Sequence, residues 1–336
     1  MLSLASPQSL NSAAFRFWPG VLLAFTIAAA ASFISLQYAV PVMLVALLMG
    51  MAFNFLLAGE SACAPGIDLS ARFVLRLGIA LLGIRVSVSD FLAFGWSSIA
   101  TVVALVALTI GAGMLAARVL GQSWRFGLLS GGAVAICGAS AALAISAVIS
   151  RGDAENSDTL MTVIVVTMLS TIAMVAYPPL FGLLGLADAQ IGYLLGASIH
   201  DVAQVVGAGF SVSQEAGDAA TITKLMRITL LPVVLMLIIA FTGRRSGEDK
   251  VPGLPWFLVV FLALACLNSL VALPEWLSGG LQATSQILLV TAIGALGVKT
   301  SLKTMLRLGG QKVMPAIFAT LCLLGFAVLA MLFVLR

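Results

Sequence analysis

The sequence predicts an all-α polytopic membrane protein. Its plan is about 11 transmembrane helices in a five-plus-five inverted repeat with broken crossing helices, plus one extra N-terminal helix. Three observations lead there. The 336 residues are 61% hydrophobic and only 9% charged, whereas a soluble domain carries about 25% charged residues. Apolar runs long enough to cross a bilayer, about 20 residues each, recur from end to end. A Leu-Ser-Gly-Gly block opens two of those runs, at Leu129 and at Leu277, five runs apart. A β-barrel requires alternating apolar and polar residues, and stretches such as "LLPVVLMLIIAF" do not alternate.

Hydropathy places the spans near 17–36, 39–57, 70–88, 97–118, 125–149, 159–186, 190–211, 220–242, 254–273, 278–299 and 312–335. The first has a long apolar run behind a leader charged only at Arg16, which favours an uncleaved span over a signal peptide. The longest polar connections, 244–253 and 150–158, are too short to separate soluble domains, so residues 1–336 form one transmembrane domain. Within it, 1–38 is a peripheral first span, 39–186 the first repeat and 187–336 the second. Counting eleven crossings with the N-terminus inside puts ten Lys and Arg residues in cytoplasmic loops, against Arg85, Arg151 and Arg336 outside. That bias predicts a cytoplasmic N-terminus and a periplasmic C-terminus in a bacterial inner membrane. The net charge of +4 reflects these loops and no nucleic-acid partner. Cys63, Cys137, Cys266 and Cys322 lie far apart with no metal-ligand spacing, so neither a disulfide framework, a metal site nor any cofactor is expected.

Five spans between the two Leu-Ser-Gly-Gly blocks means opposite orientation, the mark of an inverted repeat. The fifth and tenth spans then correspond, and both are poor continuous helices. One holds Gly131, Gly132, Gly138 and Ser140, the other Gly279, Gly280, Gln282, Thr284 and Ser285. Glycine costs about 1 kcal/mol relative to alanine inside a helix and permits unwinding where backbone lines a cavity. A helix broken within the membrane aims backbone N–H groups and a positive dipole end at a ligand, which suits a small oxyanion. Close helix packing through small residues is the competing explanation for the same composition.

"GASIHDVAQVVGAG", 196–209, holds the only histidine, His200, beside Asp201 in the seventh span. Ionisable groups at that depth are costly and mark function. Histidine can exchange a proton near neutral pH, so the pair is assigned to proton or cation coupling, with Gln204 one helical turn further on. Asn54 and Asn268 read as helix-packing donors, and Arg85, Arg72 and Arg76 as span-end residues; Lys224 and Arg227 lie near or inside span ends and enter neither side of the charge count.

The blocks "GIDLSARFVLRLGIALLGIRVS", "GGAVAICGASAALAI", "GASIHDVAQVVGAG" and "ITKLMRITLLPVV" together resemble the YeiH-type bacterial membrane proteins, a family labelled as sulfate exporters. The resemblance covers essentially the whole chain. It implies kinship with the cation:proton antiporter and bile-acid transporter superfamily, hence crossed broken helices, and among such relatives homodimers are frequent. Carried over, the family's blocks fall on Cys137, Gly138, Ala139 and Ser140, and on Ser198 to Gln204. The expected function is a secondary transporter of a small sulfate-, sulfite- or sulfonate-like anion, coupled to H⁺ or Na⁺. No nucleotide-binding signature occurs, so a gradient must drive it. The alternative is a Na⁺/H⁺-type antiporter with Asp201 as the ion site. An enzyme is not expected, because no nucleophile elbow or metal spacing accompanies the histidine.

Overall fold

The computed structural model describes residues 16–38, 40–57, 61–85, 95–149, 153–242, 255–271, 273–300, 310 and 312–333. In chain order the helices are α1 (Trp18–Tyr38), α2 (Val42–Ala52), α3 (Ala64–Leu69), α4 (Leu75–Leu82), α5 (Gly95–Val119), α6 (Trp124–Ala135), α7 (Ala139–Ile149) and α8 (Asp153–Gly182). They continue as α9 (Asp188–Ser198), α10 (Val202–Val212), α11 (Gln214–Thr229), α12 (Leu231–Thr242), α13 (Trp256–Leu270), α14 (Glu275–Lys299) and α15 (Met314–Phe333). No strand occurs among the described residues. Among the described residues, six helical stretches are long and apolar enough to cross a membrane: α1, Ile99–Val119, Asp158–Gly182, Gln214–Phe241, α14 and α15. The polar connections at 150–152 and 244–253, with Arg151, Arg244, Arg245 and Lys250, lie outside the described residues, as do Lys303, Arg307 and Arg336.

The chain divides into two compact units, one within Met1–Ser87 and Phe257–Leu306, the other within Val88–Trp256 and Arg307–Arg336. In the first, α14 is the element on which α2 and α4 pack. Glycines let the backbones touch: a Cβ at Gly50 would lie 2.9 Å from the Gly297 Cα. Asn54 Nδ2 donates to the Val298 carbonyl at 2.7 Å, the packing role expected for it, and Ser285 Oγ donates to the Gly78 carbonyl at 2.7 Å. Asp68 takes both Arg72, at 3.0 Å, and Lys299.

The tenth span corrects the repeat-based expectation. α14 runs 25 residues without interruption through Gly279, Gly280, Gln282, Thr284 and Ser285. Nothing lies within 4 Å of a Cβ built at Gly279 or Gly280, and Thr284 Oγ1 simply donates to the Gly280 carbonyl one turn back. Two glycines cost only about 2 kcal/mol in a helix, too little to break a rod of this length held along its inner face. The echo between Leu129 and Leu277 therefore does not mark equivalent broken helices.

The second unit differs more deeply from the sequence reading. Its two interrupted segments are hairpins, not crossings. Gly132 of α6 and Ile145 of α7 are thirteen residues apart, yet a Cβ at Gly132 would collide with the Ile145 Cδ1. A continuous helix would separate them by about 20 Å. α7 thus folds back along α6. The same holds for α9 and α10. A Cβ at Gly192 would lie 3.0 Å from the Ala216 Cα, and one at Gly209 would lie 3.1 Å from the Ala216 carbonyl oxygen. Those two glycines would sit about 25 Å apart on one rod. α9 runs parallel to α11, and α10 returns to Ser213, whose Oγ caps α11 by accepting from Ala216 N at 3.1 Å.

Lys312 Nζ donates to Asp158 Oδ1 at 2.6 Å, which ties the first turns of α8 to the residues just ahead of α15.

Candidate functional site

The site is built where the two hairpin tips meet. In the first, α6 ends at Ala135 because Ile136 leaves helical geometry, with φ −112° and ψ −82°. Gly138 then takes φ +63°, and its N–H donates back to the Ala133 carbonyl at 2.8 Å. That left-handed conformation is ordinary for glycine and strained for other residues. α7 starts immediately afterwards, its first turn holding Ala139 and the exposed Ser140. In the second, Ile199, His200 and Asp201 are the non-helical tip, Ile199 and Asp201 with ψ near 140°. The pair expected within a helix is therefore at a break. Ser170 Oγ of α8 holds that break open by accepting the N–H groups of His200 at 3.2 Å and Asp201 at 3.0 Å. Asp201 Oδ1 caps α10 by accepting from Ala203 N at 2.8 Å.

The C-terminal ends of α6 and α9 both converge on α11, and two side chains receive them. Lys224 Nζ donates to the carbonyls of Ile136, at 2.7 Å, and Ile199, at 3.0 Å, one from each hairpin. Arg227 makes six hydrogen bonds, to Val134 and Ala135 of the first hairpin and to Gly196, Ala197 and Ile199 of the second. Both side chains are 0% exposed. The carbonyls at a helix C-terminus have no partner within the helix and carry the negative end of its dipole. Two cations facing two such ends satisfy both demands.

His200, also 0% exposed, sits between the tips. A Cβ at Gly138 would lie 3.6 Å from the His200 Cβ and 3.5 Å from Val166 Cγ1 of α8. His200 Nε2 is 3.0 Å from Thr320 Oγ1 of α15. Thr320 Oγ1 also lies 2.7 Å from the Ala316 carbonyl, so the hydroxyl links the imidazole to α15. Nδ1 has no hydrogen-bond partner. Gln204 Nε2 donates to Thr171 Oγ1 at 2.8 Å, tying α10 to α8, while its Oε1 is also unpartnered.

The tips bring together Cys137, Gly138, Ala139 and Ser140 with Ser198, His200 and Asp201. Gly131 and Gly132 lie before the break and serve packing, Gly131 against Ile110 of α5 and Gly132 against Ile145. Ser198 Oγ donates to the Leu194 carbonyl within its own helix. Gly279, Gly280, Gln282, Thr284 and Ser285 belong to the other unit. Sequence reasoning missed Ser170, Thr171 and Thr320, single hydroxyls in apolar helices with no local signal. It also set aside Lys224 and Arg227, although both lie well inside the continuous apolar stretch Gln214–Phe241. Among the described residues, no group of three His, Cys, Asp or Glu side chains is placed to hold a metal ion.

Comparison with known proteins places the chain among membrane proteins. The family model "Conserved hypothetical protein 698" matches residues 19–316. The chain belongs to the UPF0324 family of membrane proteins. It is 46% identical over 335 residues to the UPF0324 membrane protein TauZ of Paracoccus denitrificans, covering 96% of this chain and 98% of that one. TauZ of Paracoccus pantotrophus is 50% identical over 297 residues, 87% of this chain and 88% of that one. The UPF0324 inner membrane protein YeiH of Escherichia coli K12 is 33% identical over 299 residues, 84% of this chain and 83% of that one. No solved structure matches the UPF0324 chain.

Proposed function

We propose that this UPF0324 protein is a secondary carrier of a small oxyanion of the sulfate, sulfite or sulfonate type, coupled to H⁺ or Na⁺, in the bacterial inner membrane. One observation carries the reading: two broken helices meet tip to tip around two fully buried cations and a histidine with a free ring nitrogen. A fixed polar constellation of this kind is costly inside a membrane protein and marks a substrate or ion path. The C-terminal dipoles of α6 and α9 are already satisfied by Lys224 and Arg227. What the tips still offer is the amide end of α7, which suits an anion. His200 and Asp201 are the coupling groups.

In this reading the chain makes nine crossings and two re-entrant hairpins that enter from opposite faces. Chain order then moves Arg151 from outside to inside, so the Lys and Arg asymmetry becomes eleven against two. That sharpens the same orientation, N-terminus cytoplasmic and C-terminus periplasmic. A Na⁺/H⁺ antiporter at Asp201 is less well supported, because a site for Na⁺ holds excess negative charge and here two cations face one carboxylate.

The test is transport in proteoliposomes. Labelled sulfate, sulfite and methanesulfonate are offered with and without an imposed pH gradient. Gradient-dependent accumulation of at least one anion is expected, lost in His200→Ala and Asp201→Asn while both variants still assemble. Proton release driven by Na⁺, with no anion accumulated, would instead establish the antiporter.

A further inference from the structure

The carbonyl oxygens of both breaks are held by side chains of the chain itself. Ile136 and Ile199, one from each hairpin tip, accept from Lys224 Nζ at 2.7 and 3.0 Å. Val134, Ala135, Gly196 and Ala197 accept from Arg227, which also reaches Ile199. Earlier in α6, backbone closes the remaining ends: Gly132 accepts from Ile136 N at 3.2 Å and Ala133 from Gly138 N at 2.8 Å. In α9, Leu195 accepts from Ile199 N at 3.0 Å. Val134, Ala135, Ile136, Ala197 and Ile199 are all 0% exposed, so water does not compete for these oxygens.

Secondary carriers that use Na⁺ bind it at such places, through unwound backbone carbonyls and the C-terminal ends of half-helices. Here N–H groups fill the same oxygens. Lys224 Nζ stands at the junction, fully buried and joining one oxygen from each break. An ammonium and an amine both have the two N–H groups required, so the oxygens are occupied whichever form Lys224 takes. Arg227 has a different part, since its planar fork is spread over five carbonyls as a clamp.

We propose that Lys224 is a tethered occupant of the place a coupling Na⁺ would take, so that the carrier runs without Na⁺ and the proton is its coupling ion. The inference rests on the anion-carrier reading above and selects between the two coupling ions which that reading admits. The other polar groups at the tips agree with it. Asp201 Oδ1 is committed to Ala203 N as the cap of α10, and the imidazole of His200 exchanges protons. Removing the lysine side chain distinguishes this role from simple bracing. Lys224→Ala leaves two carbonyl oxygens at the negative ends of α6 and α9, with the space of a four-carbon stem beside them. A small free cation then fits where Nζ was. Lys224→Met fills the stem, donates nothing and leaves no such room.

The experiment has two arms, both on the purified full chain. Thermal unfolding in detergent is followed in sodium, ammonium and choline chloride at equal ionic strength. The unaltered protein is expected to melt alike in all three. Lys224→Ala is expected to melt lower in choline chloride and to regain about 2–4 °C in sodium or ammonium chloride. Lys224→Met is expected to melt low in all three. In the second arm, proteoliposomes take up labelled sulfate, sulfite or methanesulfonate under a fixed pH gradient, with Na⁺ or choline as the bulk cation. Uptake by the unaltered protein is expected to be the same in both. A requirement for Na⁺ overturns the inference and leaves the anion reading standing. A Lys224→Ala protein that assembles but melts alike in the three salts overturns it as well. Should that variant fail to assemble in any salt, the Na⁺ requirement of the unaltered protein decides. If no anion is taken up in either medium, the anion reading fails and the choice of coupling ion with it, whatever cations do for Lys224→Ala.

Discussion

Arg227→Met is expected to abolish assembly of the second unit. The guanidinium supplies the side-chain donors for the carbonyls of Val134, Ala135, Gly196 and Ala197, all buried, and shares Ile199 with Lys224. Methionine fills similar volume but donates nothing. Each buried carbonyl left without a partner costs about 1–3 kcal/mol, so the sum reaches most of the roughly 5–15 kcal/mol by which a folded domain is stable. The check is thermal unfolding of detergent-purified protein, with Arg227→Lys as companion. Lysine keeps the charge but only three donors in place of the planar fork, and should recover part of the loss. A methionine variant melting with the unaltered protein would mean that the two tips are held by something other than this side chain.

The second large effect is expected at Gly138. Its φ of +63° costs about 1–2 kcal/mol for a residue with a Cβ. Gly138→Ala should show little beyond that, because the new methyl meets Val166 and His200 at ordinary contact distances of 3.5 and 3.6 Å. Gly138→Val adds two further carbons directed into that gap and a β-branch ill suited to left-handed backbone. It is expected to displace the His200 ring and eliminate anion binding. Gly279→Ala provides the contrast. That position is helical with nothing within 4 Å, so alanine should raise stability by up to about 1 kcal/mol through helix propensity. Melting curves and anion titrations of the three variants separate these outcomes.

Much of the architecture is legible in the sequence because the bilayer forces it: long apolar runs must be helices, and the composition leaves no other class. The break near Gly138 was legible for a related reason, since glycines clustered in an apolar run are costly, and His200 and Asp201 drew notice because ionisable residues at depth are costly too. What hydropathy could not distinguish is a crossing from a hairpin. Segments 124–149 and 188–212 have the length and greasiness of spans, and only the contact of Gly132 with Ile145, or of Gly192 and Gly209 with the same residue Ala216, reveals that they turn back. The glycines of 279–280 misled for the converse reason. They sit on an open face of a helix whose other face is firmly packed. Lys224 and Arg227 were left out of the charge count because they lie near or inside span ends by hydropathy. Their carbonyl partners come from segments 25 to 93 residues away in the chain, and no local pattern announces them.

The claim on which the rest depends is that both broken segments enter and leave by the same face. Membrane-impermeant maleimide labelling of single cysteines tests it directly, in a background lacking Cys63, Cys266 and Cys322, with Cys137 buried. Arg118→Cys and Asp158→Cys, flanking the first hairpin, are expected to react from one face only. Leu184→Cys and Gln214→Cys, flanking the second, are expected to react only from the other. Labelling of positions 118 and 158 from opposite faces would make 124–149 a true crossing, and the meeting of two hairpin tips would be contradicted.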